Sequence, residues 1–185
     1  MSEICIFEME ERKSDPLKDY ANRLFSLAVT GANATRALNQ GELPKQIWLS
    51  IVFEYLFFYI TVTDREGLKA LPAGERMKLT TRLVDVLMTR VVNEVFEGNG
   101  AAVERYKAVA AERLQEYEKF DSTLRGDSER RFEGSALGAF CSRVSKLAAH
   151  PDDMMHVMTA HAHIHDSLLF LRLDEVKQVF AMMDR

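Results

Sequence analysis

Apolar residues recur by threes and fours along most of the chain. The densest run, IWLSIVFEYLFFYITV at 47–62, is broken only by Ser50, Glu54 and Thr61. On a helical wheel these three share one narrow stripe, which Arg65 extends, while Trp48, Ile51, Val52, Tyr55, Leu56 and Tyr59 cover much of the rest. A helix that is apolar nearly all round sits inside a protein with neighbours on several sides. The segment therefore reads as the central helix of a bundle, with Glu54 on its wet stripe. Its sixteen residues fall short of the ~20 that cross a bilayer, and a carboxylate at the middle makes spanning costlier still.

The flanking pattern is helical as well. Asp15–Pro16 supplies a cap and a proline at the first helical position. From there Leu17, Ala21, Leu24, Ala28, Gly31, Ala34 and Leu38 mark one face to about residue 39, with Gly31 as a weak point or a close-packing site. Gly41 ends this helix and Pro44 opens the central one, which runs to about Thr63. After a connection containing Gly67, Pro72 and Gly74, a third helix over about 74–97 carries the seam Leu79, Leu83, Leu87, Val91 and Val95. The glycines at 98–100 stop it. A fourth, about 101–120, turns Val103, Tyr106, Ala110, Leu114 and Tyr117 inward, and residues 121–134 read as the longest loop. Ser135 caps a fifth helix through Leu137, Phe140, Cys141, Val144 and Leu147. His150–Pro151 breaks it, and Asp152 or Asp153 starts the last helix, which pauses near Asp174 before VKQVFAMM. No sustained alternation marks a strand. The expectation is an all-α, single-domain bundle of about six helices around residues 44–63, with 1–14 as a loosely ordered N-terminal segment.

Bulk properties narrow the function classes. A net charge of −4 lacks the basic face of a general nucleic-acid binder and gives little attraction to anionic membranes. The acidic start, MSEICIFEMEERK, has only a four-residue apolar patch (Ile4–Phe7) and does not read as a signal peptide. Cys5 and Cys141 form no CxxC motif, so a cytoplasmic protein with reduced thiols is expected.

All five histidines lie between 150 and 165: His150, His156, His161, His163 and His165. The wheel sets His161 and His165 with Met154, Met158, Leu168 and Leu169 on the apolar side, and His156 and His163 opposite, towards water. Histidines four apart on a helix can share a metal ion. The plainer reading is core histidines with satisfied hydrogen bonds. A zinc or iron site needs further ligands, for which Glu54 and Glu94 are the candidates. Against it, Glu94 and Arg90 are four apart and suited to neutralise each other at a helix edge or subunit interface. Neither the Glu-x-x-His pairs of ferritin-like di-iron proteins nor histidines on several helices occur.

No phosphate-binding glycine loop, nucleophile elbow or HExxH motif occurs, Ser167 beside Asp166 does not establish a triad, and Arg125-Gly126-Asp127-Ser128 is read as chance. The aromatic run can glue the bundle, be covered by a second copy, or line an apolar pocket with Glu54, Tyr55, Phe58 and Tyr59 as binding residues. The methionines of the last helix suit an irregular core or an adaptable surface. The leading expectation is a non-enzymatic protein-interaction module, self-associating as a homodimer, with no cofactor. The alternatives are a metal-dependent enzyme or sensor (His161, His165 and a core carboxylate) and a small apolar-ligand binder near Glu54.

Overall fold

The computed structural model describes residues 15–96, 100–125, 134–148, 153–173 and 176. The expectations for residues 1–14 (Cys5 included), Gly126–Ser128, His150–Pro151 and the C-terminal methionines Met182 and Met183 lie outside these residues.

Six α-helices and one π turn form among the described residues: α1 Pro16–Leu38, α2 Lys45–Val62, the π turn Thr63–Gly67, α3 Ala73–Phe96, α4 Gly100–Glu118, α5 Ala136–Leu147 and α6 Met154–Leu171. The expected all-α bundle is what forms. Helix starts are set by short side chains that satisfy otherwise orphaned backbone donors. Asp15 Oδ1 accepts from the amides of Leu17 at 3.1 Å and Lys18 at 3.3 Å. Ser135 Oγ accepts from Gly138 N at 3.1 Å, and Asp153 Oδ1 from Met155 N at 2.8 Å. At the other end of α1, Gln40 (φ 54°) and Gly41 (φ 84°) turn left-handed, and Gly41 N closes on the Arg36 carbonyl at 3.0 Å. Replacing Ser135 with alanine is expected to lower stability by about 1 kcal/mol, read from the midpoint of urea unfolding. An unchanged midpoint would show that Gly138 N finds another acceptor.

Every residue of α2 from Ile51 to Val62 is buried. α1, α4 and α5 pack around it, α3 lies against α1 and α4, and α6 closes over α1 and α5. The expectation about length needs correction. With the π turn, the helix runs 23 residues and is long and apolar enough to cross a membrane by length and composition alone, but 78% of its apolar window is buried inside the protein. Its aromatic rings pack on their neighbours: Phe58 stacks on Phe140 at 4.7 Å, Tyr55 meets Phe140 edge-on at 4.9 Å, and Phe53 stacks on Tyr106 at 4.0 Å. Each such pair adds roughly 0.5–1.5 kcal/mol beyond its burial.

The π turn, closed by the bond from Leu68 N to the Thr63 carbonyl at 3.0 Å, directs two charged side chains to different neighbours. Asp64 meets Arg76 Nε at 3.1 Å and accepts from the Thr80 hydroxyl at 2.8 Å. Arg65 donates to the carbonyls of Tyr117 at 3.2 Å and Asp121 at 3.1 Å, which pins the end of α4.

Candidate functional site

The stripe Glu54–Thr61–Arg65, expected to be wet, is the face that α4 covers. Glu54 is only 5% exposed. Its Oε1 accepts from Arg113 Nε at 3.0 Å and Nη2 at 2.9 Å. Its Oε2 lies 3.4 Å from the Tyr117 hydroxyl and 3.7 Å from Arg143 Nε. Both guanidiniums also reach Glu116. Two carboxylates and two guanidiniums thus balance where α2, α4 and α5 meet. Burial pushes the Glu54 carboxyl upward, and Arg113 and Arg143 offset only part of that. Burial also raises Glu116, but there the two guanidiniums win and hold it below the usual carboxylate range. The group is a structural clamp, in which both Glu54 oxygens face groups of α4 and α5.

The other proposed pocket residues take up core roles. Phe58 and Tyr59 are fully buried, and the Tyr59 hydroxyl donates to Ser167 Oγ at 3.0 Å. The Tyr55 ring is wedged between Phe140 and His163. A cleft of about 400 Å³ lies elsewhere, between the π turn, α3 and α4, lined by Thr61, Asp64, Arg76, Met77, Val84 and Leu114 among others. Its size suits a small ligand. However, Arg65, Arg76 and Lys107 are all engaged, Lys107 with Asp85 at 2.9 Å and Glu104 at 3.1 Å.

The faces of α6 are the reverse of what the wheel suggested. His156 is 4% exposed, with Nδ1 3.1 Å from Asp153 Oδ2. His163 is half-buried, its ring edge-on to Tyr55 at 5.3 Å. Its Nε2 donates to the Leu27 carbonyl at 3.0 Å, because a carbonyl can only accept. Ser167 Oγ lies 3.3 Å from the same nitrogen. His165, by contrast, is 79% exposed, and His161 is partly buried. The four proposed metal ligands are therefore not brought together: Glu54 is inside on Arg113, and Glu94 pairs with Arg90 at 3.0 Å on the surface. Among the described residues no three histidine, cysteine or acidic side chains converge. Cys141 is buried, and burial pushes its thiol up to about 12, so it offers no thiolate at neutral pH.

Burial holds His163 below its ordinary value of 6.5, although the bond to Leu27 and the charge of Asp166 pull the other way. Burial and the neighbouring His165 lower His161 likewise. With folded values depressed, the unfolded chain binds more protons just below 6.5, and stability falls as the pH drops through that range. Urea midpoints are expected to decrease between pH 7.5 and pH 5.5, and to decrease less in His163→Gln. Equal slopes would show that His163 stays solvated.

What the reversal leaves outside is apolar. Of seven large apolar side chains exposed among the described residues, five lie on α6: Met154 (63%), Met155, Met158, Leu169 (83%) and Phe170. Asp166 is the only formally charged residue between Met154 and Leu171. Sequence reading placed these methionines and leucines inward because apolar side chains usually face the core. The available signal was Ala160 and Ser167, small residues on the opposite face, both of them buried. Comparison with protein-family models, curated proteins and solved structures finds no match to this chain.

Proposed function

We propose that this chain is a non-enzymatic helical protein that works by self-association, pairing with a second copy through the outer face of α6. The carrying observation is the concentration of exposed apolar side chains on that one face. Patches of this kind mark interaction surfaces, and loss of charge with gain of methionine and aromatic residues is the composition of an interface centre.

The spacing favours a second copy over an unrelated partner. Met155, Met158, Ala162, His165 and Leu169 are all exposed and step by three, four, three and four, the seam of a two-helix coiled coil. About 27 Å of helix carries it. When two such seams run antiparallel, Met158 layers on Leu169 of the second copy, and Ala162 leaves room for the second copy's His165. The pairing is the same seen from either chain, as a two-fold requires.

Sedimentation velocity on the full chain tests this. A dimer is expected at micromolar concentration, and Met158→Glu/Leu169→Glu is expected to be monomeric with unchanged helicity. A wild-type chain that stays monomeric at tens of micromolar would overturn the reading.

A further inference from the structure

We infer that the cleft between the π turn, α3 and α4 binds a small neutral molecule with an apolar body and one hydroxyl donor, received by the oxygens of Asp64 and Thr61. The residues that line it all lie between Thr61 and Glu118, so the site is separate from the outer face of α6.

The cleft has a buried floor and an open rim. Thr61, Asp64 and Val84 form the floor, at 2%, 9% and 9% exposed, while Met77 and Ala111 stand in solvent. Its volume of about 400 Å³ lies within the range of small-molecule sites. Met77, on α3, is 69% exposed, and among the described residues only it and Leu38 are large exposed apolar side chains outside α6. A flexible thioether at the mouth can settle against an apolar body. The backbone gives a second signal. π turns frequently occur at functional sites, and Asp64 and Arg65 of this one both line the cleft.

The polar atoms of the floor are acceptors with capacity left. The Thr61 hydroxyl gives its proton to the Phe57 carbonyl at 3.0 Å and keeps its lone pairs. Asp64 receives Arg76 Nε at 3.1 Å and the Thr80 hydroxyl at 2.8 Å, both on Oδ1, whereas a carboxylate offers about four acceptor positions. The side chains of Arg76 and Lys107 are 34% and 28% exposed, so water can take their remaining hydrogens. A ligand that reaches the floor must therefore bring the hydrogen itself.

Charge decides that this ligand is neutral. Three carboxylates line the cleft (Asp64, Asp85 and Glu118) against three cations (Arg65, Arg76 and Lys107). Asp64 is already paired with Arg76, and Asp85 with Lys107 at 2.9 Å. A charged ligand would disturb this balance and lose its water beside a buried floor. A hydroxyl on an uncharged body does neither.

The test titrates 2-naphthol, uncharged at neutral pH, into isotopically labelled full-length protein and follows backbone amide shifts by NMR. Saturable shifts are expected at Asp64, Val84 and Leu114. The methyl ether of the same compound, which has no donor, should bind roughly tenfold more weakly or worse, the weight of one hydrogen bond to a charged group. The corresponding naphthoate anion and naphthylmethylammonium cation should be weaker as well. Ala111→Trp on α4 and Thr81→Trp on α3 each fill the cleft from an exposed position and should abolish the shifts, whereas Met158→Glu/Leu169→Glu should keep them. Shifts that are absent or confined to α6, equal binding of the ether, tighter binding of either ion, or binding that survives in a folded tryptophan variant would overturn the site. None of these outcomes depends on whether the chain pairs through α6.

Discussion

Replacing Glu54 with alanine is expected to destabilise the protein by about 3 kcal/mol, in the range seen when one partner of a buried ion pair is removed. The cost comes from what stays behind. Arg113, whose side chain is 15% exposed, loses both bonds to Oε1 and keeps only Glu116. The Tyr117 hydroxyl, fully buried, loses its acceptor. Arg143 is 36% exposed and can turn to water, so it adds little. Glu54→Gln retains an acceptor oxygen but no charge and should fall between wild type and alanine. Removing both partners in Glu54→Leu/Arg113→Leu should recover much of the loss, because no charge is then left without a partner. Urea unfolding of the four proteins decides it. A loss under about 1 kcal/mol in Glu54→Ala would match a solvated surface pair and contradict the clamp. Because the clamp joins α2, α4 and α5, the same variants should leave the dissociation constant of the proposed α6 pairing unchanged while they remain folded.

The clamp also shows where sequence reading stops. Helix starts were legible because their causes are local: Asp15, Ser135 and Asp153 each cap an amide within three residues. The central place of α2 was legible because a helix apolar nearly all round has no face to give to water. Glu54 is different. Its place on a polar stripe was visible, but Arg113 is 59 residues away, and only the packing of α4 turns a wet stripe into a buried pair. The same holds for His163, whose acceptor, the Leu27 carbonyl, is 136 residues distant. A histidine with a partner can go inside, and a methionine without a neighbour stays outside. Hydropathy along α6 ranks the two the other way, so the wheel found two faces and assigned them in reverse. The i, i+4 spacing of His161 and His165 was legible from the start. That His165 is exposed and His161 partly buried, both away from Glu54 and Glu94, was not.

Gly31→Ala should be nearly as damaging as the loss of Glu54, about 2 kcal/mol by overpacking, although alanine in a helix interior ordinarily gains up to about 1 kcal/mol over glycine. A Cβ built at Gly31 would sit 2.6 Å from His163 Cδ2 and equally close to Cε1 and Cζ of Tyr55. Neither ring has room to retreat: Tyr55 is fully buried against Phe140, and His163 is tethered to Leu27 and Ser167. The strain must therefore push α1 away from both α2, which carries Tyr55, and α6, which carries His163. Gly74, with nothing near its would-be Cβ, is the matched control, and Gly74→Ala should be neutral or slightly stabilising. Two further readouts separate a displaced α6 from a general loss of stability. With water admitted to the ring, the burial that depresses His163 is relieved and it should titrate closer to its ordinary 6.5, which flattens the fall in stability between pH 7.5 and 5.5. The pairing proposed for the outer seam of α6, no longer backed rigidly by α1, should also weaken. A Gly31→Ala protein with wild-type stability and an unchanged pH slope would show that α1 and α6 do not press together at this point, and the exposed face assigned to α6 would lose its support.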